Sequence, residues 1–513
     1  MWHAADAGAP RSVFARASIA AAGSAYQQAV ALVSGVVVAR VIGAADYGVF
    51  NLARSLVDLT TIVTRLGLDI GLQRFFGEAR SREDQALRVA VLRRLRLLAS
   101  LLALVPVVAV AVGGGDALEA NVYVHAGFSE TLLVLALALP FFTDIAVLGG
   151  AYRGTLRLSP SVLAESVLLP TIRLAAIVIL FLVGWRLWAV AVGTTLGTAL
   201  AAAFLAARAR ADFPSAAPVD RAWHTALKVV RYSSVLAAAV LVTTLTATLD
   251  LLVLGHFAPA EAVGQYSLVK MLLVLAGVFG AAFNQTLGSL VAAHHSRGDG
   301  DGALRSIRST VRWIALGTVP PVVALSFWGA PLIPLLGESF RTSAAVVAWL
   351  ATGQLIAVVF GPAGWALSMT GRHVLELGIL VVGLCVATLA CAIAVPAYGP
   401  IGAAIATCSS IALTNVLRVL CVRRTFGSLP FGADVVAIVA VGLAAAVASY
   451  GALALADLPP VAAAALGMAC FAGVYAAAAW TLLLRAAEKE AVRHLLATAV
   501  RPFLLHARHR RIS

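Results

Sequence analysis

The feature that most constrains this chain is a succession of apolar segments, each about as long as a helix that crosses a lipid bilayer. A membrane-spanning helix needs about 20 apolar residues, and the sequence contains fourteen such segments between residues 18 and 484. Of the 513 residues, 61% are hydrophobic and 12% are charged, which excludes an ordinary soluble domain. The sequence therefore predicts an all-α integral membrane protein with fourteen transmembrane helices, because backbone polar groups inside a bilayer must be satisfied within the protein.

The positive charges are distributed unevenly between the two sides of this predicted bundle. The chain has 38 Lys and Arg residues and a formal net charge of +14. Nearly all of these residues lie in the termini and the even-numbered loops, whereas only Arg40, Arg186 and Arg341 lie on the other side. Because cytoplasmic loops are enriched in Lys and Arg, we expect both termini in the cytoplasm and no binding of nucleic acid. No cleavable signal peptide is expected.

The spacing of the apolar segments predicts two lobes of six spans and an additional pair. The expected divisions are a cytoplasmic N-terminal tail (1–16), an N-lobe (17–208), a cytoplasmic linker (209–230), a C-lobe (231–422), spans thirteen and fourteen (433–484) and a basic amphipathic cytoplasmic tail (485–513). In the fifth span, Glu165 and Arg173 are expected to form a structural pair. In the ninth span, Pro320 and Pro321 are expected to break or kink the helix.

The second predicted span carries a polar stripe at steps of three or four residues, formed by Asn51, Arg54, Asp58, Thr61, Arg65 and Asp69. On one continuous helix these residues lie on a single face. Charged groups at bilayer depth are costly, so they normally face a bundle interior or a watery cavity. The stripe is therefore interpreted as the wall of a transport cavity. The alternative is that Arg54 with Asp58, and Arg65 with Asp69, simply neutralise each other as i,i+4 pairs in a packed bundle.

A weak internal repeat relates the two lobes at an offset of about 216 residues. The offset places Arg54 on Lys270 and Asp69 on Gln285, and it aligns similar Ser-Arg-x-Asp loops. Each repeat contains six spans, an even number, so the two lobes are expected to have the same orientation in the membrane, with the substrate site between them. The second lobe does not repeat the whole stripe, since Val274 and Ala281 occupy the positions matching Asp58 and Arg65.

Four stretches resemble the polysaccharide and oligosaccharidyl-lipid flippases of the multidrug/oligosaccharidyl-lipid/polysaccharide exporter superfamily: residues 39–50 with the helix that follows, 250–270 with Val-Gly-Gln-Tyr, 335–372 with Ser-Met-Thr-Gly-Arg, and 395–424 with Pro-Ala-Tyr-Gly-Pro-Ile-Gly. The resemblance implies two six-helix lobes in a V around a central cavity, with alternating access. It also implies that polyprenyl-pyrophosphate-linked glycans are moved from the cytoplasmic to the external leaflet for cell-surface polysaccharide or lipopolysaccharide synthesis. Spans thirteen and fourteen resemble the additional pair of some members.

By position, the resemblance implies that Arg54 and Lys270 face each other and attract the pyrophosphate. Arg and Lys are both suited to binding phosphate. Asp58, Asp69 and Asp250 are expected to neutralise these cations in the empty carrier or to couple transport to protons or sodium. The complete expected substrate-binding set is Arg54, Lys270, Arg65, Asp58, Asp69, Asp250 and Gln285.

The expected location is the inner membrane of a bacterium, with membrane lipids, the lipid-linked glycan and other polysaccharide-assembly membrane proteins as partners. No metal and no cofactor are expected. One alternative is a drug or cation antiporter of the same superfamily, whose site should be apolar and acidic, whereas spans two and eight have a net basic character here. The other is a membrane glycan polymerase or glycosyltransferase, which needs catalytic or metal-binding carboxylates in a substantial external loop. The longest expected external loop, residues 113–130, is short.

Overall fold

The computed structural model describes residues 9–77, 82–214, 221–277, 294, 299–370, 372–454, 458–486 and 488–490, and the regular elements within them are all helices. Within these residues, ten helices are long and apolar enough to cross a membrane, or eleven if one bent pair counts as a single span. The all-α membrane fold is therefore confirmed. The count of fourteen is not confirmed and stays a prediction, because part of the expected eighth span lies outside the described residues.

The N-lobe is a bundle of helices whose longest member contains the first expected span and most of the second. Its described helices are α1 (Ala9–Arg65), α2 (Leu68–Gly77), α3 (Arg82–Ala109), α4 (Gly115–Asn121), α5 (Phe128–Ala136), α6 (Leu139–Gly154), α7 (Leu158–Val162), α8 (Leu169–Leu182) and α9 (Leu187–Asp212). Wide π-helical turns at Val110–Gly114 and Leu163–Leu168 join α3 to α4 and α7 to α8. Helix α1 bends at Gly43, whose φ of 80° and ψ of 175° interrupt the helix between the two spans. Glycine suits this position because it has no Cβ to oppose a positive φ.

The second half of the chain forms the C-lobe and an additional helix pair. Its described helices are α10 (Ala222–Phe257), α11 (Ala260–Ala276), α12 (Gly300–Leu332), α13 (Ala344–Phe360), α14 (Pro362–Met369), α15 (His373–Phe426), α16 (Ala433–Ala454) and α17 (Pro460–Ala478). Helix α15 bends at Gly399 and contains the expected eleventh and twelfth spans. We call the end of the bundle with the α6–α7, α9–α10 and α15–α16 connections the basic face, and the other end the opposite face.

One expectation about local structure differs from what the structure shows. Helix α12 passes through Pro320 and Pro321 as one continuous helix, so the expected break is absent there. Neighbouring helices hold this region, because Val319 and Val323 are buried in the core that α12 forms with α16 and α17. The linker at residues 209–230 stays a prediction; within it, α9 continues to Asp212 and α10 starts at Ala222. The first turns of α10 are held by the packing of Ala222 and its neighbours against the N-lobe core.

The lobes meet at the opposite face through a reciprocal contact of small residues. A Cβ added to Gly48 would clash with the carbonyl oxygen of Ala260, and one added to Gly264 would clash with the carbonyl oxygen of Ala44. These four residues are pairwise related by the repeat offset of about 216 residues. The second half of α1 and the start of α11 therefore cross at backbone contact, which only small residues permit.

Candidate functional site

The polar stripe of the second span is divided between two helices. Helix α1 ends at Arg65, and Leu66 (φ 50°) and Gly67 (φ 67°) turn the chain before Asp69 in α2. The expectation of one continuous striped helix is therefore wrong. The turn is held by packing, because a Cβ on Gly67 would lie 2.5 Å from the carbonyl oxygen of Ser233 in α10.

The charged residues of the stripe are paired along the chain. The Arg54 Nε donates to Asp58 Oδ1 at 2.9 Å, and the Arg65 and Asp69 side chains approach to 3.6 Å across the helix break. The Arg54 guanidinium also lies over the Phe142 ring, 5.6 Å from its centroid. These contacts match the i,i+4 pairs that the sequence left as an alternative to a cavity wall. The structure shows that the two interpretations are compatible, since three of these charged residues also line a cavity.

This cavity, which we call the N-lobe cavity, has a volume of about 400 Å³ and lies between the N-lobe and α10. It is lined by Asp58, Thr61, Ile62, Arg65, Asp69, Phe142, Ile145, Ala146, Arg153, Glu165 and Thr244. Asp58, Arg65 and Asp69 were expected from the sequence to face a cavity. Arg153 and Glu165 are not among the expected site residues, and the sequence predicts a structural pair of Glu165 with Arg173 instead.

Glu165 pairs with Arg153 rather than with Arg173. The Arg153 Nη1 donates to the two carboxylate oxygens of Glu165 at 3.0 and 3.1 Å. The expected Glu165–Arg173 pair is therefore wrong. Residues eight positions apart are separated by about 12 Å along a helix, and the π-helical turn at Leu163–Leu168 further alters their relative direction.

Several polar atoms around the N-lobe cavity have unused hydrogen-bonding capacity. Among the described residues, eight buried side-chain nitrogen or oxygen atoms have no hydrogen-bond partner, and four of these belong to charged side chains. Three of the four are Arg65 Nε, Asp69 Oδ1 and Arg173 Nε, all in the N-lobe. Buried polar atoms are nearly always satisfied, so this concentration indicates a place for a polar ligand or for water.

Lys270 belongs to a second polar cluster, in the C-lobe. Its Nζ donates to the Ala247 carbonyl at 2.7 Å and to both carboxylate oxygens of Asp250 at 2.8 and 2.9 Å. Asp250 is 2% exposed and also accepts hydrogen bonds from the Tyr266 hydroxyl at 2.6 Å and the Thr407 hydroxyl at 2.8 Å. Lys270 is not among the residues that line the N-lobe cavity. Tyr266 belongs to the Val-Gly-Gln-Tyr motif of the family resemblance, but neither Tyr266 nor Thr407 was expected at the site, because neither forms part of a polar stripe.

Gln285, the remaining expected site residue, lies outside the described residues. Its position relative to either cluster therefore stays a prediction. The described part of α11 ends at Ala276.

The two lobes are joined by hydrogen bonds at the opposite face. The His125 Nε2 bonds to the Gly255 carbonyl at 2.8 Å, and the His256 Nδ1 bonds to the Val122 carbonyl at 2.7 Å. The Ser339 hydroxyl accepts from the backbone N–H of Ala44 at 3.0 Å, directly beside the bend in α1. The first two bonds run in reciprocal directions between the α4–α5 connection and the end of α10. Together with the glycine crossing, they close the opposite face between these elements.

A family model described as "Polysaccharide biosynthesis protein" matches residues 14–291, which is more than half of the chain. No curated protein sequence matches the chain. The family match covers the N-lobe, the linker, α10 and α11. It therefore includes the N-lobe cavity together with Asp250 and Lys270.

The fold is similar to that of solved membrane transporters. The lipid II flippase MurJ in an inward closed conformation has a TM-score of 0.71 and 13% identity, covering 91% of this chain and 99% of that one. A multidrug resistance MATE family transporter of the MOP superfamily, in its inward-facing conformation, has a TM-score of 0.65 and 14% identity, covering 78% and 94%. An outward-facing conformation of such a transporter has a TM-score of 0.53 and 15% identity, covering 80% and 95%. The chain therefore has this fold.

Proposed function

Because the chain belongs to the polysaccharide biosynthesis protein family, we propose that it moves a polyprenyl-pyrophosphate-linked oligosaccharide from the cytoplasmic to the external leaflet. The fold of a lipid II flippase and of multidrug transporters supports transport rather than enzymatic chemistry. In this proposal the basic face is cytoplasmic, in agreement with the positive-inside rule. The membrane is the inner membrane of a bacterium, and the product is a cell-surface polysaccharide.

The observation that carries the proposal is the charged N-lobe cavity, with its unsatisfied polar atoms, inside an otherwise apolar bundle. A glycan linked through a diphosphate has many hydroxyl groups and a strongly charged centre. Such a group crosses a low-dielectric slab only if fixed charges and hydrogen-bonding groups replace its water. Arg65 and Arg153 line the cavity, as do the carboxylates of Asp58, Asp69 and Glu165. The guanidinium groups are donors for phosphate oxygens, and the carboxylates are acceptors for sugar hydroxyls.

Closure at the opposite face supports alternating access. The glycine crossing and the histidine bonds join the lobes there. Substrate is proposed to enter from the basic face in this arrangement and to leave after the contacts at the opposite face separate. Lys270 and Asp250 are proposed to act in this cycle from the C-lobe. In the empty carrier the two side chains compensate each other's charge, and a ligand that separates them can bind to either one.

The charge of the cavity wall favours an antiporter of organic cations as a second candidate function. The lining contains three carboxylates and two guanidinium groups, so the expectation of a net basic site does not hold for the lining itself. Arg54 is bonded to Asp58 beside the cavity. A flippase and an antiporter differ in what accumulates when the protein is missing.

Depletion of the protein in its native cells tests the two functions directly. The flippase proposal predicts that a lipid-linked glycan accumulates and is labelled only from the cytoplasmic side, while susceptibility to organic cations is unchanged. Complementation with the wild-type gene should reverse the accumulation. Depletion that leaves lipid-linked glycans unchanged and sensitises the cells to organic cations would establish the antiporter instead.

A further inference from the structure

We propose that Arg173 in α8 is the residue that binds the diphosphate of the transported lipid. This inference rests on the proposed function and assigns the anion-binding role to a residue outside the polar stripe. The sequence places Arg173 eight residues after Glu165, and that spacing suggested a structural pair. The structure leaves Arg173 without that partner.

The first step of the inference is the pairing of the other cations of the N-lobe site. Arg54 bonds to Asp58 at 2.9 Å, Arg65 approaches Asp69 to 3.6 Å, and Arg153 bonds to Glu165 at 3.0 Å. Each of these guanidinium groups is neutralised by its own carboxylate. An anion that binds one of them must first compete with that carboxylate.

Arg173 differs from these three arginines. Within the described residues, its guanidinium has no ion pair or hydrogen bond, and its Nε is buried without an acceptor. A guanidinium group carries five N–H donors in a rigid planar arrangement. An uncompensated charge of this kind inside a membrane protein is costly and is normally retained for function.

The position of Arg173 places this charge beside the cavity wall. Helix α8 contacts α1 two residues before Arg173, where the Thr171 and Tyr26 hydroxyl groups are hydrogen-bonded at 2.8 Å. Asp58 of α1, which lines the N-lobe cavity, is within electrostatic range of Arg173. The backbone of Arg173 is held in close contact with α9, since a Cβ added to Gly197 would lie 2.8 Å from the Arg173 nitrogen. Such packing fixes the base of the side chain, and the Nε of its guanidinium group is buried without an acceptor.

The charge balance of the cluster follows from this arrangement. Four arginines and three carboxylates, those of Asp58, Asp69 and Glu165, leave one net positive charge, and Arg173 carries it without a partner. A diphosphate accepts bidentate hydrogen bonds from guanidinium groups. Once bound at Arg173, it lies within electrostatic range of Arg54 and competes with Asp58 for that second guanidinium group.

Binding measurements on the purified full-length protein test this assignment. The probes are undecaprenyl pyrophosphate and undecaprenol, which share a prenyl chain and differ in the charged group, with retention titrated by native mass spectrometry. Wild-type protein should prefer the pyrophosphate lipid. Arg173→Gln should weaken binding of that lipid by about tenfold or more and leave undecaprenol binding unchanged, because only the charged group is affected.

Two variants control for folding and for the loss of a charge. Arg173→Lys keeps the charge but loses the planar set of donors, so it should bind the pyrophosphate lipid with an intermediate affinity. This variant tests the assignment if Arg173→Gln folds poorly. Arg341→Gln removes an exposed arginine between α12 and α13 and should bind like the wild type. Thermal unfolding of each variant establishes that the compared proteins are folded.

The outcomes separate the assignment from the proposed function. If the wild type prefers the pyrophosphate lipid and both Arg173 variants bind it within twofold of the wild type, the Arg173 assignment is wrong and the flippase proposal stands. If the wild type shows no preference over undecaprenol, both fail. If phosphatidylglycerol or inorganic pyrophosphate competes equally well through Arg173, the site binds phosphate groups in general, and the assignment to the transported lipid is overturned.

Discussion

At the residue scale, the charged groups of this protein are arranged so that nearly every cation within the bundle has a carboxylate beside it. Lys270 bonds to Asp250, and the arginines of the N-lobe cavity are each paired. A paired charge is tolerable in a low-dielectric interior, whereas removal of one partner leaves the other uncompensated. The pairs therefore stabilise the empty carrier and are also the groups that a charged ligand can separate.

The Asp250–Lys270 pair gives a direct test of this compensation. Asp250→Asn leaves the Lys270 ammonium without its counter-charge, so we expect it to destabilise the folded protein by about 3 kcal/mol. Lys270→Met in the Asp250→Asn background removes both charges and should recover most of that loss. The measurement is the midpoint of thermal unfolding in detergent.

Non-additivity is the diagnostic result for this pair. Arg341→Gln, which changes an exposed residue, serves as the control for the loss of one charge. If the double variant is less stable than Asp250→Asn alone, Lys270 stabilises the fold through contacts other than Asp250. The compensation argument would then be wrong at this site.

At the scale of single elements, the helices are held by contacts that only certain residues permit. Gly48 and Gly264 allow α1 and α11 to cross with their backbones touching. At the basic face, the Arg312 side chain donates to Asp434 at 2.8 Å, to Glu488 at 3.0 Å and to the Leu483 carbonyl. This one guanidinium group therefore joins α12 to the start of α16 and to the residues that follow α17.

Enlarging the glycines should separate the two helices at the crossing. We expect Gly48→Val and Gly264→Val to loosen closure at the opposite face, because the added side-chain carbons overlap the backbone of the facing helix. A single cysteine replacing Val49, near the crossing, should then react faster with a membrane-impermeant maleimide. Gly451→Val is the matched control, since a Cβ at Gly451 meets no atom within 4 Å.

The test compares the rate of maleimide labelling in the crossing variants with the rate in the Gly451→Val control. Equal rates for Gly48→Val and Gly451→Val would show that the crossing does not control access from the opposite face. All labelling variants are prepared without the five natural cysteines.

The Arg312 contacts make stability depend on pH through Glu488. Hydrogen bonding to Arg312 holds the pKa of the Glu488 carboxyl below its ordinary value of 4.5. A carboxyl whose folded-state pKa is lowered stabilises the fold above the ordinary pKa, and this contribution is lost as the pH falls through the lowered value. The wild type should therefore lose stability between about pH 5 and pH 3 more steeply than Glu488→Gln, as measured by thermal unfolding across that range.

Parallel unfolding curves would contradict this prediction. If the wild type and Glu488→Gln lose stability with the same dependence on pH, the carboxyl makes no folded-state contribution in this window. Other acidic groups would then account for the acid sensitivity of the protein.

At the scale of the whole molecule, the two lobes are joined at the opposite face while the N-lobe cavity lies between the N-lobe and α10. His125 and His256 bond to backbone carbonyls of the other lobe. These bonds must break before the opposite face can open.

Removal of both histidines should shift the balance between closed and open states. Each hydrogen bond is worth about 1 kcal/mol, so His125→Ala with His256→Ala should increase the open fraction by more than tenfold. Spin labels at Val124 and Leu335, both exposed residues near the opposite face, report the distance between lobes in pulsed electron resonance. A distance distribution identical to that of the histidine-containing protein would show that these bonds do not control opening.

The sequence by itself determined the class of fold and the identity of most polar candidates. The length of the apolar segments predicts membrane helices, because the thickness of the bilayer requires segments of that length. A spacing of three to four residues predicts that Arg54, Asp58 and Arg65 lie on the same face of a helix. The family followed from motifs distributed along the chain. These properties are local, or repeat at a regular spacing, and can be recognised without knowing how the helices pack.

The tertiary structure decided which of these residues meet. The turn at Leu66 and Gly67 places Asp69 on a separate helix, Glu165 contacts Arg153 instead of Arg173, and Lys270 bonds to Asp250 across two helices. Partners of this kind depend on where one helix bends and which face it presents to another. Helical periodicity contains no information about that packing, and so the sequence could indicate the charged stripe but not the residue left unpaired beside it.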